Sequence, residues 1–376
     1  MIERDIENRV RERAGQWFPE CGQSPTVRLE QLSSRPRAQL YTVHIGDGPT
    51  TQRILAKIRR EGHPAANSDG QRGRPTLATD SLSVSELTAL EFDGLSSIFE
   101  IFPAPDARFS AIRPLDHMAD ANTILMGYVQ APTLRKVLVN RSRLSPQYRS
   151  ARHQDVTEVW QRVGAWLRIF HQSMPHRTLP VRQPTREDVV DRFHAYGEFL
   201  TTRVGPRALG DVAERGALVA QDGLPAQLPM SVGHGDFAPR NVFLGPDGRL
   251  TVFDPMARWV VPNYEDLCRL LVGMRLSGLQ LHTRGAAYAQ QELERREQGV
   301  IKGYYADDVV PRAQLRCYQL LIMLDKWSAL IQAGEKRGSA RLKRISLTPA
   351  SGYLGGEARR ALGLAESVIG ERPETA

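Results

Sequence analysis

The chain has 376 residues, of which 41% are hydrophobic and 24% charged, and its net charge at neutral pH is +8. This composition excludes a disordered or fibrous chain, and the length suffices for two lobes or domains. The charged N-terminus is unlike a signal peptide and no apolar run reaches membrane-spanning length, so we expect a cytoplasmic protein without a membrane span. The few, widely spaced cysteines (Cys21, Cys268 and Cys317) predict neither a zinc site nor a disulfide framework.

The positive charge is unevenly distributed. Residues 1–125 hold 15 Lys and Arg against 17 Asp and Glu, or −2, which leaves 35 against 25, or +10, for residues 126–376. Residues 135–152 hold six cations and no acid, a stretch that could face an anionic substrate, a lipid headgroup or nucleic acid. A solvated surface is the simpler interpretation. No interleaved aromatic and basic patch supports a nucleic-acid partner, and we expect none.

The N-terminal region reads as a small sheet with helices. Residues 1–18 predict a surface helix, residues 26–31 and 39–45 two strands joined by a turn over residues 32–38, and residues 53–58 a third strand. Lys57 lies inside the apolar run of this third strand and needs an anion there. The alternative is a strand-edge lysine whose stem reaches solvent. Residues 61–80, rich in Gly and Pro, predict a mobile loop.

A helix follows this loop. Ser83 and Glu86 fit a capping box, and the apolar positions after them recur at helical spacing. Glu91 falls inside the apolar stripe, four residues from both Leu87 and Leu95, so its carboxylate needs a cation. Lys57 is the obvious partner. We prefer Glu91 to Glu86 for this pairing because the capping interaction already satisfies Glu86.

The character of the chain changes after a strand over residues 123–129. We therefore predict a first lobe over residues 1–129 and a second lobe over residues 130–376. The second lobe is predicted to be mainly helical, with a basic, exposed tail over residues 335–344. Its predicted helices cover residues 155–172, 186–202, 206–220, a segment ending at 275, and at least three more after 287, among them 312–333.

The most informative stretch covers residues 232–255. Two short runs of β-branched and aromatic residues flank residues 245–248 and predict a hairpin. Asn241 enters its first strand and Asp254 leaves its second, so folding is expected to bring both to the open end, beside Asp236. Such an incomplete set of oxygen ligands suits Mg2+, which takes its remaining ligands from water and substrate phosphates. The alternative is that both aspartates are turn and strand-end residues with solvated carboxylates.

The motif His234-Gly235-Asp236, followed by Asn241 at the Asp-x-x-x-x-Asn spacing, resembles the aminoglycoside phosphotransferase family. The strand around Lys57 is similar to the Val-Ala-Ile-Lys strand of kinases. The resemblance implies an α+β, two-lobed, protein-kinase-like fold. In this fold an N-terminal antiparallel sheet with one helix precedes a larger, mainly helical C-terminal lobe.

The same resemblance implies roles for single residues. Asp236 would orient or accept the proton of a substrate hydroxyl, and Asn241 and Asp254 would hold Mg2+. Lys57, set by Glu91, would contact the α- and β-phosphates of ATP or another nucleoside triphosphate. The nucleotide would further be bound by the turn residues Ser33, Ser34 and Arg35 at its phosphates, and by the backbone of Met126, Gly127, Tyr128 and Val129 at its base.

Two further residues fit the family pattern. His171, at the end of the helix over residues 155–172, resembles a histidine common in the family, and we interpret it as structural. Asp266 resembles an aspartate that braces the catalytic loop from a helix start, although an ordinary acid at a helix N-terminus is equally consistent.

The acceptor is expected to be small. Ala238 stands where protein kinases carry a lysine, Asp254 is followed by Pro-Met, and only eleven residues separate it from Asp266, too few for a peptide-presenting activation loop. Because the second lobe is basic, a hydroxyl of a sugar, glycolipid or related metabolite is favoured over a polycationic antibiotic. An aminoglycoside, choline-like or homoserine-like acceptor stays open, because Glu265, Asp307 and Asp308 could line a pocket.

A nucleotide-binding pseudokinase is disfavoured because it would be expected to have lost Asp236, Asn241 or Asp254.

Overall fold

The computed structural model describes residues 2–22, 25–35, 37–47, 51–61, 75, 77, 82–103, 108–148, 157–175, 178–336 and 340–370, without the side chains of residues 208, 278 and 333–350. The loop predicted over residues 61–80 lies outside this part except for residues 61, 75 and 77. The chain divides into two compact units. Unit 1 comprises Met1–Gly70, Asp80–Pro132 and Phe243–Ala257, and unit 2 comprises Gln71–Thr79, Thr133–Val242 and Arg258–Ala376.

Unit 1 is built on a five-stranded antiparallel sheet in the order β1-β2-β3-β6-β5. Its strands are β1 (Val27–Arg35), β2 (Ala38–Ile45), β3 (Gln52–Arg59), β5 (Pro114–Met118) and β6 (Thr123–Gly127), and its helices are α1 (Ile2–Trp17) and α2 (Val84–Ile101). A second sheet has the order β4-β9-β8, with β4 (Phe109–Ser110), β8 (Val242–Leu244) and β9 (Leu250–Val252). The predicted hairpin is therefore present as β8 and β9, whereas β4 and β5 were not predicted.

The two faces of β3 serve different purposes. Alternate side chains of a strand point to opposite faces, and Ile54, Ala56 and Ile58 join the apolar cluster that contains Ile6, Val10 and Ala14 of α1. On the other face, Leu55 packs in the cluster that contains Leu95 of α2. The alternation therefore places Lys57 and Arg59 on the α2 side.

The α2 helix begins as predicted. Ser83 is its N-cap, and the side chains of Ser83 and Glu86 each accept a hydrogen bond from the other residue's backbone N–H. Farther along, Gly94 approaches Pro255 so closely that a Cβ atom at Gly94 would lie 2.9 Å from Pro255 Cγ. A side chain at position 94 would thus press on the segment that carries Asp254.

The predicted turn over residues 32–38 is wrong. Ser33, Ser34 and Arg35 continue β1 and pair with residues 40, 39 and 38 of β2, after a β-bulge between Gln31 and Ser33. Only residues 36 and 37 separate the two strands. The turn tendency of the two serines is outweighed because pairing along the full length of β2 satisfies their backbone groups.

Unit 2 is mainly helical. Its helices are α3 (Leu134–Asn140), α4 (Thr157–Ser173), α5 (Arg186–Val204), α6 (Pro206–Leu209), α7 (Val212–Gly223), α8 (Tyr264–Arg275), α9 (Gly278–His282), α10 (Gln290–Tyr305), α11 (Arg312–Lys336) and α12 (Ala340–Gly370). A two-stranded antiparallel sheet pairs β7 (Met230–Val232) with β10 (Val260–Pro262). The helix predicted over residues 206–220 is instead two helices, separated at Gly210, which has a positive φ of 62°. The side chains of most of the predicted basic tail lie outside the described part.

The predicted fold class is confirmed: an antiparallel N-terminal sheet is followed by a mainly helical C-terminal region. Among the described residues, no helix combines the length and the apolar character that a membrane crossing requires.

Candidate active site

Four charged side chains of unit 1 form a buried cluster, which we name the Lys57 cluster: Lys57, Arg59, Glu91 and Asp254. Lys57 Nζ lies 2.6 Å from Glu91 Oε1 and 2.7 Å from Asp254 Oδ1. Arg59 donates to Glu91 Oε2 from Nε at 2.9 Å and from Nη2 at 2.5 Å. The side chain of Glu91 is only 2% exposed and that of Lys57 13%. The predicted Lys57–Glu91 ion pair is therefore present, with a second carboxylate on the same ammonium group.

The opposite charges of the Lys57 cluster stabilise the ionised forms of its side chains. Burial opposes the charge of Lys57, but Glu91 and Asp254 outweigh it and raise its pKa. Burial likewise acts against ionisation of Asp254, yet Lys57 and then Arg59 prevail and its pKa lies below the usual range. Burial raises the pKa of Glu91, and the charge of Lys57 is the largest effect that opposes it. Asp254 is thus ionised at neutral pH, and its contribution to stability disappears only as the pH falls below the usual aspartate pKa.

Arg59 was not identified from the sequence, although the signal was available. It lies two residues after Lys57 on the same strand and so on the same face.

Asp254 has another unusual feature, a left-handed backbone with φ of 61°. Aspartate and asparagine tolerate this conformation better than other non-glycine residues, so the position restricts the residue types that can supply the carboxylate.

In unit 2 the catalytic loop, which we define as residues 234–241, is held by a buried carboxylate. Asp266, in the first turn of α8, accepts hydrogen bonds from His234 N at 2.5 Å and Gly235 N at 3.1 Å. His171 Nε2 lies 3.3 Å from Asp266 Oδ2, and its Nδ1 lies 2.8 Å from the hydroxyl of Tyr304. Burial acts against ionisation of Asp266, but the hydrogen bond from His171 prevails and lowers its pKa. These contacts favour the interpretation of Asp266 as a brace over that of an ordinary helix acid.

Asp236 extends from this braced loop, and its side chain is 33% exposed. Asn241 Nδ2 donates to the backbone oxygen of Asp236 at 2.9 Å and to its Oδ2 at 2.9 Å. Arg240, a residue that the sequence analysis missed, pairs with Asp236 Oδ1. A short 3-10 turn over Pro239–Asn241 brings these side chains back to Asp236. Because its amide nitrogen is engaged, Asn241 retains its carbonyl oxygen for another ligand.

The other predicted nucleotide-binding residues lie elsewhere in unit 1. Met126 and Gly127 end β6, Tyr128 and Val129 follow it, and Gly127 N–H already donates to Arg113 O at 2.9 Å. Ser33, Ser34 and Arg35 lie at the end of β1. Within the described part of the chain, no hydrogen bond or ion pair joins these three residues to the Lys57 cluster.

The donor set suits a magnesium ion better than zinc. Asn241 and Asp254 offer hard oxygen ligands, and no described group of three or more His, Cys, Asp or Glu side chains could hold a metal. A cation bound by these residues would take its other ligands from water or phosphates. Asn241 belongs to unit 2 and Asp254 to unit 1, and their predicted convergence stays a prediction.

Comparison with known proteins points to a phosphotransferase family and a kinase-like fold. Residues 112–298 match the profile of the family described as APH, phosphotransferase enzyme family. No curated protein sequence matches the chain. Among solved structures, a choline/ethanolamine kinase family protein from Mesorhizobium loti is 13% identical with a TM-score of 0.51, covering 98% of this chain and 100% of its own. Ethanolamine kinase from Plasmodium vivax is 10% identical with a TM-score of 0.53, covering 89% of this chain and 83% of its own.

A putative aminoglycoside phosphotransferase from Ralstonia eutropha JMP134 is 13% identical with a TM-score of 0.51, covering 93% of this chain and 98% of its own. At such low identities these likenesses establish the fold alone.

Proposed function

Because the chain belongs to the phosphotransferase enzyme family that it matches over residues 112–298, we propose that it transfers the γ-phosphoryl group of ATP, or of another nucleoside triphosphate, to a hydroxyl group of a sugar, glycolipid or related metabolite. The family match confirms the resemblance predicted from His234, Gly235, Asp236 and Asn241, and with it the prediction of a phosphotransferase. The acceptor, the residue roles and the use of magnesium are parts of the proposal.

The observation that carries the proposal is the Lys57 cluster. Lys57 is 13% exposed and is held between Glu91 and Asp254, so its ammonium group is fixed on the α2 side of the sheet, next to the proposed metal ligand Asp254. In kinase-type enzymes a lysine fixed by a glutamate binds the α- and β-phosphates, which is the role proposed here for Lys57 and Glu91. Arg59 adds a second cation beside Glu91 and helps to keep that carboxylate ionised.

At the other end of the reaction, Asp236 would orient the acceptor hydroxyl and take its proton as the oxygen forms a bond to the γ-phosphorus and the bond to the leaving diphosphate breaks. Asn241 Nδ2 donates one hydrogen bond to Oδ2 of Asp236 and one to its backbone oxygen, which together orient the carboxylate. Arg240 covers the remaining carboxylate oxygen, and its side chain is 48% exposed, so it is free to move aside when the hydroxyl binds. Asp266, which accepts hydrogen bonds from the backbone of His234 and Gly235, would keep the loop in place while the hydroxyl replaces Arg240 at Asp236.

Magnesium, bound by Asn241 and Asp254, would neutralise negative charge on the phosphates. We propose that Ser33, Ser34 and Arg35 contact the phosphate end of the nucleotide. The segment Met126 to Val129 would contact its base. Since Gly127 N–H is engaged by Arg113, base recognition within this segment would fall to the backbone groups of the residues around it.

The test is a panel of hydroxyl metabolites and glycans incubated with the protein, ATP and Mg2+, followed by mass spectrometry for the gain of one phosphoryl group. We expect at least one sugar or glycolipid to gain it, with one equivalent of ADP formed. The same panel with the metal chelated, and ATP without an acceptor, serve as blanks. Binding of ATP with no transfer to any member of a broad panel would favour the nucleotide-binding pseudokinase and contradict the proposal.

A further inference from the structure

Lys326, on α11, carries a charge that the described part of the chain does not pair. Its ammonium group makes no hydrogen bond or ion pair with any described residue, although the side chain is half-buried. Burial lowers its pKa, and the nearby charge of Arg269 lowers it further, while Asp325 and Asp236 act in the opposite direction. Because no described carboxylate is paired with this ammonium group, it can bind an anionic ligand.

The surroundings of Lys326 place it beside the catalytic loop. The charges close enough to influence it belong to Asp236 and Arg240 of that loop, to Arg269 of α8 and to Asp325 of α11 itself. Its ammonium group is therefore available to a molecule that approaches Asp236 in unit 2.

A second group with unused hydrogen-bonding capacity is Arg182, in the segment before α5. Its side chain is 10% exposed, and its Nη2 donates to both oxygens of Glu265 at 2.7 and 2.8 Å. Its Nε and Nη1 are buried and have no acceptor among the described residues. The guanidinium lies 4.4 Å from the ring centre of Trp259, so its orientation is fixed.

The next residue, Gln183, is equally unusual. It is 5% exposed, and neither its Oε1 nor its Nε2 has a partner in the described part of the chain. Its backbone has a positive φ of 56°, a conformation that a glutamine adopts only at some energetic cost. Unpaired buried polar groups cost about 1–3 kcal/mol each, so a ligand that hydrogen-bonds to these two residues would offset that cost.

Ion pairs connect Arg182, Glu265, Arg269 and Asp325, and Lys326 follows Asp325 in α11. We name these five residues the Arg182–Lys326 network. Glu265 Oε1, bound by Arg182, also accepts from Arg269 Nε at 3.0 Å. Arg269 Nη1 lies 3.6 Å from Asp325 Oδ2, and Asp325 precedes Lys326 in α11. Asp236 and Arg240 are close enough to influence Lys326, and Asp266 is close enough to influence Arg269, so four cations are balanced by four carboxylates. Among these cations, Lys326 makes no hydrogen bond or ion pair with a described residue.

We propose that this network, together with the adjacent Gln183, binds an oxyanion of the acceptor, a phosphate or a carboxylate, with Lys326 as its cationic contact and Arg182 and Gln183 as hydrogen-bond donors. The inference rests on the proposed function, because it assigns a substrate class to the same site. A sugar phosphate or a sugar acid has the required chemistry. A polycationic acceptor does not, since it would meet an unpaired lysine and an arginine instead of free carboxylates.

The first experiment measures binding with the nucleotide site filled by ADP. The measured quantity is the thermal shift caused by each of five ligands: inorganic phosphate, glucose 6-phosphate, glucuronate, glucose and glucosamine. It is measured in the wild type, in Lys326→Met and in a control, Lys302→Met, which removes an exposed lysine on α10. We expect the oxyanions to raise the Tm of the wild type and of Lys302→Met, and Lys326→Met to lose this response. Comparing glucose 6-phosphate with glucuronate shows whether the site binds a phosphate or a carboxylate. Equal shifts in all three proteins, no shift with any oxyanion, or a shift only with glucosamine would overturn the proposal.

Stability without a ligand gives an independent readout. Because Lys326 and the backbone of Gln183 are unfavourable in the free protein, Lys326→Met and Gln183→Gly are each expected to raise the Tm by about 1–3 °C. A purely structural role for either residue predicts a lower Tm, and that result would count against a ligand site.

Kinetics complete the test once an acceptor is known. Lys326→Met should raise the acceptor KM by about 10- to 100-fold, the range for one charged hydrogen bond, and leave the KM for ATP unchanged. Arg182→Met should act in the same direction, with Arg207→Met, on the exposed α6, as its control. If the protein phosphorylates nothing while the oxyanion shift still depends on Lys326, the proposed function fails and the anion site stands. If it phosphorylates neutral or amino sugars with an unchanged KM in Lys326→Met, the anion site fails and the function stands.

Discussion

The two charged regions of this protein balance their charges differently. In the Lys57 cluster of unit 1, two cations meet two carboxylates, and each charge has a partner within 3 Å. In the Arg182–Lys326 network of unit 2, Lys326 has no partner among the described residues, and two N–H groups of Arg182 have no acceptor there. The first arrangement is complete without a ligand, whereas the second leaves binding capacity unused.

This difference suggests two strategies for phosphate chemistry. A nucleotide is a common ligand, and in the proposed function the preassembled, neutral cluster would bind its phosphates by exchanging one carboxylate contact of Lys57 for a phosphate oxygen. An acceptor must be discriminated from many metabolites, and buried groups that are satisfied only by the right partner provide strong discrimination. Substitutions in unit 1 and in unit 2 can test each half of this comparison.

The largest effect is expected at the catalytic loop. Asp236→Ala removes the group proposed to take the hydroxyl proton, so phosphoryl transfer should fall by about 10²- to 10⁴-fold. Nucleotide affinity, measured by titration calorimetry, should change little, because the contacts proposed for the nucleotide do not include Asp236. Asp191→Ala, which removes an exposed aspartate of the same unit, is the control. Wild-type turnover in Asp236→Ala would refute the proposed role.

The next largest effect concerns the stability of the Lys57 cluster. Glu91→Gln leaves Lys57 and Arg59 facing a neutral partner in a buried site, which should lower the free energy of unfolding by about 3–5 kcal/mol. Glu86→Gln removes the same charge from an exposed capping box in the same helix and should cost less than about 1 kcal/mol. Urea unfolding of both variants provides the comparison. Similar losses would mean that Glu91 is not the partner on which the cluster depends.

A smaller effect is expected for the proposed metal ligand. Asp254→Asn preserves the left-handed backbone, which asparagine tolerates, but removes the negative charge. The Mg2+-dependent part of ATP affinity should fall by about 10- to 100-fold, the range for one charge-assisted contact. Asp247→Asn, in the turn between β8 and β9, is the control. An unchanged magnesium titration in Asp254→Asn would contradict the assignment.

The same comparison explains what the sequence could predict. The Lys57–Glu91 pair follows from two short-range patterns, the alternation of a strand and the four-residue spacing of a helix, so it was predicted correctly. The pattern also contained Arg59, on the same face as Lys57. The motif around Asp236 identified the family because its residues are close in sequence.

Long-range packing was not predictable in this way. Lys326 lies close enough to Asp236 for the two charges to influence each other although 90 positions separate them in the sequence, and no local pattern predicts this proximity. Gln183 is distinguished by its backbone conformation and its missing partners, neither of which is visible in the sequence. The error at Ser33 and Ser34 has the same origin, because pairing with β2 decided their conformation.

The smallest expected effect tests how tightly the Lys57 cluster is positioned. Gly94→Ala would normally stabilise a helix by about 0.5–1 kcal/mol, but its Cβ would lie 2.9 Å from Pro255 Cγ and push the segment next to Asp254. Gly363→Ala, on α12 with no atom within 4 Å of the new Cβ, is the matched control and should be stabilising. We expect Gly94→Ala to gain no stability and to raise the KM for ATP a few-fold. If both variants are equally stabilising and the KM is unchanged, contact with α2 does not position Asp254, and the cluster is held by its ion pairs alone.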